Sequence, residues 1–343
     1  TLLASQGDDF HALLRVADVA RREDKGDDVS YVVCRNINFT NICYVGCSFC
    51  GFARHKHDVG ESYDHSMDTI LSKCRDAIER GATEICIQGG IHPNKDHTHY
   101  RQIIETIKSA HPELHLHAYS PEEIDFGQRK SGMRLADYLG WLKDAGLGSL
   151  PGTAAEILDD EIRDILSPRK LKTARWVEII RTAHEIGLPT TSTIMYGHIE
   201  KPGHIARHLD LLRGIQKQTG GFTEFVPLGF IHERNMLYNR LGSRPGASMR
   251  EDLRLVAVAR LFLRPWITNI QVSWVKMGPK VGQIALESGA NDFGGTLMEE
   301  SISRESGADH GENLPPEEFR RLIREMGRTP AERSTKYEIL RVF

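Results

Sequence analysis

The sequence has few of the features that mark membrane, nucleic-acid-binding or secreted proteins. None of its apolar runs approaches the roughly 18 residues of a membrane-spanning helix. Its formal net charge is -3 and it contains no basic run, so we expect neither a membrane nor a nucleic acid as a partner. It shows no signal-peptide pattern. Its 6 cysteines do not suggest a disulfide framework in a chain of 343 residues, and we expect a reducing, cytoplasmic location.

Short apolar runs alternate with longer helical patterns along the chain, which is typical of βαβ units. Eight strands with helices between them predict a (β/α)8 TIM-type barrel of the α/β class. The main alternative, a doubly wound sheet, would have a Gly-x-Gly-x-x-Gly turn after its first strand, and that turn is absent. The predicted strands cover residues 32–39, 84–88, 114–119, 148–150, 189–195, 223–228, 270–275 and 290–293.

The points where this alternation begins and ends divide the chain into three predicted parts. Residues 1–30 contain one amphipathic helical pattern, with Phe10, Leu13, Leu14 and Val19 on its apolar stripe, and form a helical extension. Residues 31–296 form the barrel. Residues 297–343 form a C-terminal segment that we expect to pack on the barrel.

Three of the cysteines follow the first predicted strand closely. Cys43, Cys47 and Cys50 have the spacing C-x3-C-x2-C, and thiolates are the ligands that iron–sulfur clusters use. Three cysteines leave one iron of a four-iron cluster open, and an open position is what a catalytic metal centre needs. We therefore predict a 4Fe-4S cluster on this loop. The other cysteines are expected to be buried small side chains: Cys34, Cys74 and Cys86.

Zinc is the competing metal for this loop. A structural zinc site needs four ligands, and His55 or His57 could supply the fourth, which would fit a zinc hydrolase on a barrel. His115 and His117 form a second pair that could begin a zinc site, because alternate residues of a strand share a face. That pair lies near the beginning of its strand and has no clear further ligands, so packed or hydrogen-bonded histidines are favoured.

The cysteine motif after the first strand of a barrel resembles the radical S-adenosylmethionine superfamily. The resemblance implies a 4Fe-4S cluster and S-adenosyl-L-methionine as cofactors, with the open iron chelating the amino and carboxylate groups of the latter. It also implies a one-electron reductant, whose electron leads to a 5′-deoxyadenosyl radical. The cofactor-binding residues that it implies are Tyr44, Phe49, Gly89, Gly90, Ser120 and Glu156.

Longer stretches, most diagnostically residues 272–278 and 294–304, are similar to the family of 4-hydroxybenzyl-transferring components of FO synthase. That resemblance implies cleavage of the Cα–Cβ bond of L-tyrosine and transfer of its 4-hydroxybenzyl group to 5-amino-6-(D-ribitylamino)uracil. Methionine, 5′-deoxyadenosine and 2-iminoacetate would be released. A second radical enzyme, separate or fused, would complete the 5-deazaflavin FO of coenzyme F(420). A menaquinone-pathway radical enzyme acting on a futalosine-type substrate is the alternative, because it shares the loop and the barrel.

Substrate contacts are predicted from position alone. Binding groups in a barrel lie at the C-terminal ends of its strands. Carboxylates, amides and hydroxyls suit a ribityl-uracil, and the carboxylate of tyrosine needs a cation, for which Lys276 or a nearby arginine is a candidate. The candidates are His92, Tyr119, Glu123, Tyr196, His198, Glu200, His232, Lys276, Asn291 and Glu299.

Overall fold

The computed structural model describes residues 2–55 and 61–343. Its strands are short and mostly parallel, as expected where helical crossovers join them. In chain order they are β1 (Asp28–Val32), β2 (Cys34–Ile37), β3 (Glu84–Ile87), β4 (His115–Ala118), β5 (Thr190–Tyr196), β6 (Phe222–Gly229), β7 (Asp292–Gly295), β8 (Thr329–Arg333) and β9 (Ile339–Val342).

These strands close into a ring. β2, β3 and β4 pair in parallel, as do β5 with β6 and β7 with β1, and only Val33 separates β1 from β2. Two short segments complete the ring through isolated bridges, at residues 149–150 between β4 and β5 and at residues 270–271 between β6 and β7. The predicted (β/α)8 barrel is therefore confirmed, and each predicted strand coincides with one position of the ring.

The helices surround this ring. They are α1 (Gly7–Lys25), α2 (Met67–Glu79), α3 (His97–Ala110), α4 (Pro121–Ser131), α5 (Leu135–Asp144), α6 (Asp160–Leu166), α7 (Thr173–Glu185), α8 (Pro202–Thr219), α9 (Met236–Asn239), α10 (Met249–Leu263), α11 (Trp274–Met277), α12 (Pro279–Leu286), α13 (Ser301–Ser306) and α14 (Pro316–Glu325). None of the described helices is long and apolar enough to cross a membrane.

One helix and one strand illustrate how the structure differs locally from the sequence prediction. The prediction omitted α4, although Ser120 and Glu123 form a capping box around Pro121 at its first turn, a recognisable start signal. The strand predicted over residues 270–275 is wrong in its second half, because α11 begins at Trp274. The indole of Trp274 donates to the carbonyl of Gly295 (2.9 Å), which ties this turn of helix to β7.

The N-terminal helix and the C-terminal strands both pack against the ring. α1 buries Phe10 and Leu13 and packs against α10, whereas Val19, predicted on the same apolar stripe, is exposed. β8 pairs in parallel with β1, and β9 pairs antiparallel with β8, so the C-terminal segment extends the barrel sheet. The domain limits at residues 30 and 296 stay a prediction; β1 begins at Asp28, just before the first of them.

Candidate functional site

A cavity of about 260 Å³ lies at the C-terminal ends of the strands. This outer cavity is bounded by the cysteine loop on one side and by the ends of β3, β4, β5 and β6 on the others. Carboxyl ends of parallel strands meet at one end of a barrel, which is where sites are built. The predicted residues that line it are Cys43, Cys47, Phe49, Cys50, Gly89, Gly90, Ser120, Glu123, Glu156 and Lys276.

The cysteine loop is fixed by hydrogen bonds to distant parts of the chain. The backbone N–H of Ser48 donates to Leu166 (2.8 Å), and its carbonyl accepts from Leu237 (2.7 Å). Arg169 donates through Nε to the carbonyl of Val45 (2.9 Å). Gly46 has a φ of 71°, and a Cβ there would meet the guanidinium of Arg169. The loop is therefore held in place by α6 and the residues that follow it.

The three cysteines meet the requirements of a shared metal cluster. All three thiols are free and half-buried, and all line the outer cavity. Burial raises the pKa of Cys43 and of Cys47, and each thiol also feels the charge of Cys50, so the set of thiolates needs a cationic group.

The cysteine geometry does not resemble a zinc site. Within the described residues, only Asp159, Glu161 and His204 bring three potential ligand atoms within 4.8 Å of one another. The cysteine sulfurs lie further apart than that as a group, whereas ligands of one zinc at about 2.3 Å lie closer. His55 has a partner of its own and does not line the cavity. His57 lies outside the described residues.

Gly89 and Gly90, just after β3, allow the end of this strand to approach the cysteine loop. A Cβ on Gly89 would lie 2.6 Å from the ring of Phe39, and one on Gly90 would overlap the carbonyl of Ile42. The carboxylate of Glu123 accepts from the backbone N–H of Gly89 (3.0 Å) and from both the N–H and the hydroxyl of Ser120 (2.7 Å each). Burial raises the pKa of Glu123 to about 7. The carboxylate of Glu123 therefore holds the turn at Gly89 and Gly90 in place.

A buried cluster of opposite charges lies beside Cys47. Lys170 donates to Glu156 (2.6 Å) and stands 5.5 Å from the ring centre of Phe49. Arg163, also buried, donates to the carbonyls of Ala155 (2.5 Å) and Leu171 (2.7 Å) and lies 3.4 Å from Glu156. Burial lowers the pKa of Lys170, but the charges of Glu156, Cys47 and Glu122 together outweigh burial and raise the lysine pKa. Sequence analysis missed Lys170, because it follows α6 in a loop with no motif of its own.

An inner chamber of about 210 Å³ adjoins the outer cavity within the barrel. Lys276 lines both spaces, and its side-chain ammonium group has neither a hydrogen bond nor an ion pair with any described residue, although its backbone N–H donates to Ser273 (3.0 Å). Burial lowers the pKa of Lys276, and the charge of Glu300 opposes that shift. The walls include Asn36, Asn38 and Glu300, which were not among the candidate contacts although residues 36–38 precede the cysteine motif directly.

Several predicted contacts lie outside both spaces, with their polar atoms bonded elsewhere. The hydroxyl of Tyr119 donates to Tyr100 (2.6 Å) within an aromatic core cluster. The amide oxygen of Asn291 accepts from Arg260 (2.7 Å). Glu299 pairs with Arg35 and Lys73 near the surface.

The predicted contacts after β5 are also engaged with their neighbours. Tyr196 donates to Asp252 (2.6 Å) in a small separate cavity that Lys276 also lines. His198 contacts the backbone carbonyl of Met195 (3.0 Å), and Glu200 accepts from the N–H of His198 (2.8 Å).

The remaining predicted contacts also lie away from the outer cavity. Tyr44 borders a separate surface depression with Phe126. His92 accepts from the N–H of Asn94 (3.1 Å), and His232 packs edge-on against Tyr238.

The His115 and His117 pair is hydrogen-bonded rather than arranged around a metal. Both rings share the hydroxyl of Ser149, at 2.8 and 2.6 Å. Burial lowers the pKa of His115 to about 4 and that of His117 to about 3, so both rings are neutral at pH 7. The interpretation as hydrogen-bonded histidines therefore agrees with the structure.

Two protein-family models match the chain. One, described as the radical SAM superfamily, matches residues 37–212, and the other, described as the CofH/MqnC C-terminal region, matches residues 219–343. Among solved structures, methylornithine synthase has a TM-score of 0.74 at 19% identity, covering 96% of this chain and 92% of that one. The FeFe-hydrogenase maturase HydG from Carboxydothermus hydrogenoformans has a TM-score of 0.73 at 16% identity, covering 98% and 75%. At such low identity these two show the fold alone.

Curated relatives are much more similar in sequence. The 5-amino-6-(D-ribitylamino)uracil–L-tyrosine 4-hydroxyphenyl transferase of Methanothermobacter thermautotrophicus is 50% identical over 98% of this chain and 91% of its own length. The protein of the same name from Archaeoglobus fulgidus is 52% identical over 95% of this chain and 93% of its own length. FO synthase of Mycobacterium tuberculosis is 47% identical over 99% of this chain, which spans only 40% of that longer protein.

Proposed function

Since this chain belongs to the radical S-adenosylmethionine superfamily and, within it, to the family of 5-amino-6-(D-ribitylamino)uracil–L-tyrosine 4-hydroxyphenyl transferases, we propose that it performs the transfer that this name describes. It cleaves the Cα–Cβ bond of L-tyrosine and adds the 4-hydroxybenzyl group to 5-amino-6-(D-ribitylamino)uracil. The observation that carries the proposal is the identity of about one half over nearly the whole chain.

Cys43, Cys47 and Cys50 hold a 4Fe-4S cluster in this proposal. Their fit rests on three free thiols that line one cavity and on burial that disfavours bare thiolates. With S-adenosyl-L-methionine bound and one electron supplied, such a centre provides a 5′-deoxyadenosyl radical that removes a hydrogen atom from tyrosine. The protein keeps this reaction in a cavity with mostly apolar walls, which limits side reactions with water.

The side chains around the cavity position the cofactor rather than react. Gly89 and Gly90 present backbone at the wall, and Glu123 fixes their turn from behind. Phe49, Ser120 and the buried Glu156 also line the cavity and are proposed cofactor contacts. Tyr44 lies outside the cavity, so its predicted contact is the weakest supported of the set.

Lys276 is the proposed partner of the tyrosine carboxylate. Its ammonium group lines the outer cavity and the inner chamber, and no described residue forms an ion pair with it. A buried cation without a counter-ion is stabilised by an anionic ligand. Lys276→Met should therefore raise the KM for tyrosine at least tenfold and leave the cluster absorbance unchanged, whereas Lys280→Met, at an exposed position of α12, should alter neither.

The decisive experiment is an anaerobic incubation of the iron- and sulfide-reconstituted protein with tyrosine, the diaminouracil, S-adenosyl-L-methionine and dithionite. Tyrosine-dependent 5′-deoxyadenosine, methionine, glyoxylate from 2-iminoacetate, and the benzylated pyrimidine are expected by mass spectrometry. Turnover of a futalosine-type substrate instead would favour the menaquinone-pathway alternative. A colourless zinc protein would contradict the cluster.

A second radical enzyme would use the product. The mycobacterial FO synthases contain a region similar to this chain within a protein of more than twice its length. That arrangement supports a partner activity, which is fused in those proteins and would be either separate from this chain or fused to it. A one-electron reductant is the other proposed partner.

Six free cysteines support the predicted reducing, cytoplasmic environment.

A further inference from the structure

The walls of the inner chamber contain several polar side chains. It lies inside the barrel and shares Gln88, Thr153 and Lys276 with the outer cavity. Buried polar groups are normally hydrogen-bonded, so a chamber that leaves some of them unpaired is built for a ligand that pairs them.

Two asparagines supply the unpaired groups. The amide oxygens of Asn36 and Asn38 are buried and have no hydrogen-bond partner among residues 2–55 and 61–343. The two side chains are only 9% and 7% exposed, and both line the chamber. They stand two residues apart at the end of β2, so they face the same side.

The orientation of each amide is fixed by its nitrogen. Asn36 donates through Nδ2 to the carboxylate of Glu300, and Asn38 donates through Nδ2 to the backbone carbonyl of Gln88 (3.0 Å). Neither acceptor could receive a hydrogen bond from an amide oxygen, so a flipped amide is excluded at both positions. The wall of the chamber therefore contains two buried, unpaired acceptors, which N–H or O–H donors on a ligand would pair.

The two substrates differ in how well they meet this requirement. A diaminouracil ring carries several N–H donors around a flat edge, and its ribityl chain adds hydroxyls. Tyrosine carries one phenolic hydroxyl on an otherwise apolar ring, and its charged end suits Lys276. In the proposed function the cysteines would hold the group that starts the reaction, so tyrosine would lie in the outer cavity that they line and the acceptor of its fragment beyond it.

We propose that the inner chamber binds the pyrimidine, with Asn36 and Asn38 accepting hydrogen bonds from its N–H groups, while tyrosine lies between this chamber and the cysteines. This assignment rests on the proposed function. It predicts separate substrate sites that meet at Lys276, with the asparagines determining specificity for the acceptor and contributing little to tyrosine binding.

The test measures binding without turnover. The cluster-loaded protein with S-adenosyl-L-methionine and no reductant is titrated by calorimetry with the diaminouracil and, separately, with tyrosine. In Asn36→Ala and Asn38→Ala the Kd for the diaminouracil should rise about tenfold, as for the loss of a hydrogen bond to a buried acceptor, and the Kd for tyrosine should change less than twofold. Asn239→Ala, whose amide lies at an exposed site of α9, is the matched control and should change neither.

Each result is decisive because the two variants alter separate contacts and folding is monitored by cluster absorbance. If one variant fails to fold, the other still tests the site. A rise in the tyrosine Kd alone, or no change in either, would overturn the assignment even though wild-type protein converts both substrates. If wild-type protein releases no glyoxylate from tyrosine, the proposed function itself fails.

Discussion

The two ends of the barrel both contain buried polar side chains, but they differ in how those side chains are paired. At the upper end, Lys276, Asn36 and Asn38 line the inner chamber, and the ammonium group of Lys276 and the buried amide oxygens of the two asparagines have no partner among the described residues. At the lower end, where the strands begin, the C-terminal segment inserts Arg333 between the carboxylates of Asp292 and Glu224.

The charged and polar groups of the lower network pair with one another. Arg333 donates to Asp292 through Nε and Nη2, the second at 3.0 Å, and lies over the ring of Tyr337 at 3.9 Å. Tyr337 in turn donates to Glu224, which also accepts from Gln271 (2.9 Å). A buried ion pair of this kind is strongly destabilising to break, because the remaining charge has no solvent.

The difference separates groups that maintain the fold from groups that serve the reaction. Buried polar groups that pair with one another stabilise a unique structure, whereas buried groups that remain unpaired lower stability unless a ligand binds. Substitutions at the lower end should therefore change the free energy of unfolding, and those at the upper end should change activity.

The largest effect is expected at the cysteine loop. Replacing Cys43, Cys47 or Cys50 by Ala should abolish cleavage of S-adenosyl-L-methionine, measured as 5′-deoxyadenosine, because each supplies a ligand. Cys74→Ala, buried in α2 away from the cavity, is the control and should retain most cleavage. Loss of the cluster absorbance in Cys74→Ala would mean that the ligand set is different.

The next effect tests the lower end. Arg333→Met leaves Asp292 and Glu224 buried without their cation, so the free energy of unfolding in urea should fall by about 3–5 kcal/mol. Arg321→Met, which removes an exposed pairing with Glu318 and Glu325, should cost less than about 1 kcal/mol. An Arg333→Met protein of normal stability but without tyrosine turnover would contradict the division between the two ends.

Sequence alone predicted the upper end better than the lower. The barrel and its strand positions follow from alternating apolar runs, and Cys43, Cys47 and Cys50 follow from spacing within one loop. Position at a strand end also selected Lys276. It could not show that Tyr119 and Asn291 point away from the cavity, because that depends on which neighbour accepts or donates.

The lower network is invisible in one sequence because its members are far apart. Arg333 is 41 residues from Asp292, and Tyr337 is 113 residues from Glu224, so no local pattern connects them. Lys170 was missed for the same reason, since its partner Glu156 precedes it by 14 residues across α6. Asn36 and Asn38 were visible, but only the structure shows which of their amide atoms is unpaired.

A smaller effect concerns pH at the upper end. Asp252 is buried with the neutral hydroxyl of Tyr196 as its partner, and burial raises its pKa to about 6. Between pH 4 and 6 the Asp252 carboxyl is therefore ionised in the unfolded chain but still largely protonated in the folded protein. The free energy of unfolding should fall as pH rises through this range, by an amount on the order of 2 kcal/mol.

Asp252→Asn should make that part of the stability profile less steep in urea titrations, since an amide also accepts from Tyr196 and does not ionise, while the buried Glu123 and Glu224 keep their own contributions. Asp210→Asn, at an exposed position of α8, should retain the wild-type slope. An unchanged slope in Asp252→Asn would show that another buried carboxyl dominates this range.

The smallest effect is expected where the two ends meet. Tyr337→Phe removes one hydrogen bond to Glu224 but keeps the ring under Arg333, so the free energy of unfolding should fall by about 1 kcal/mol. Glu224 still holds Gln271, which lines the inner chamber, so the KM for each substrate should change less than twofold. A higher KM for the pyrimidine at unchanged stability would mean that the lower network also shapes the chamber, and the two ends would then act as one site.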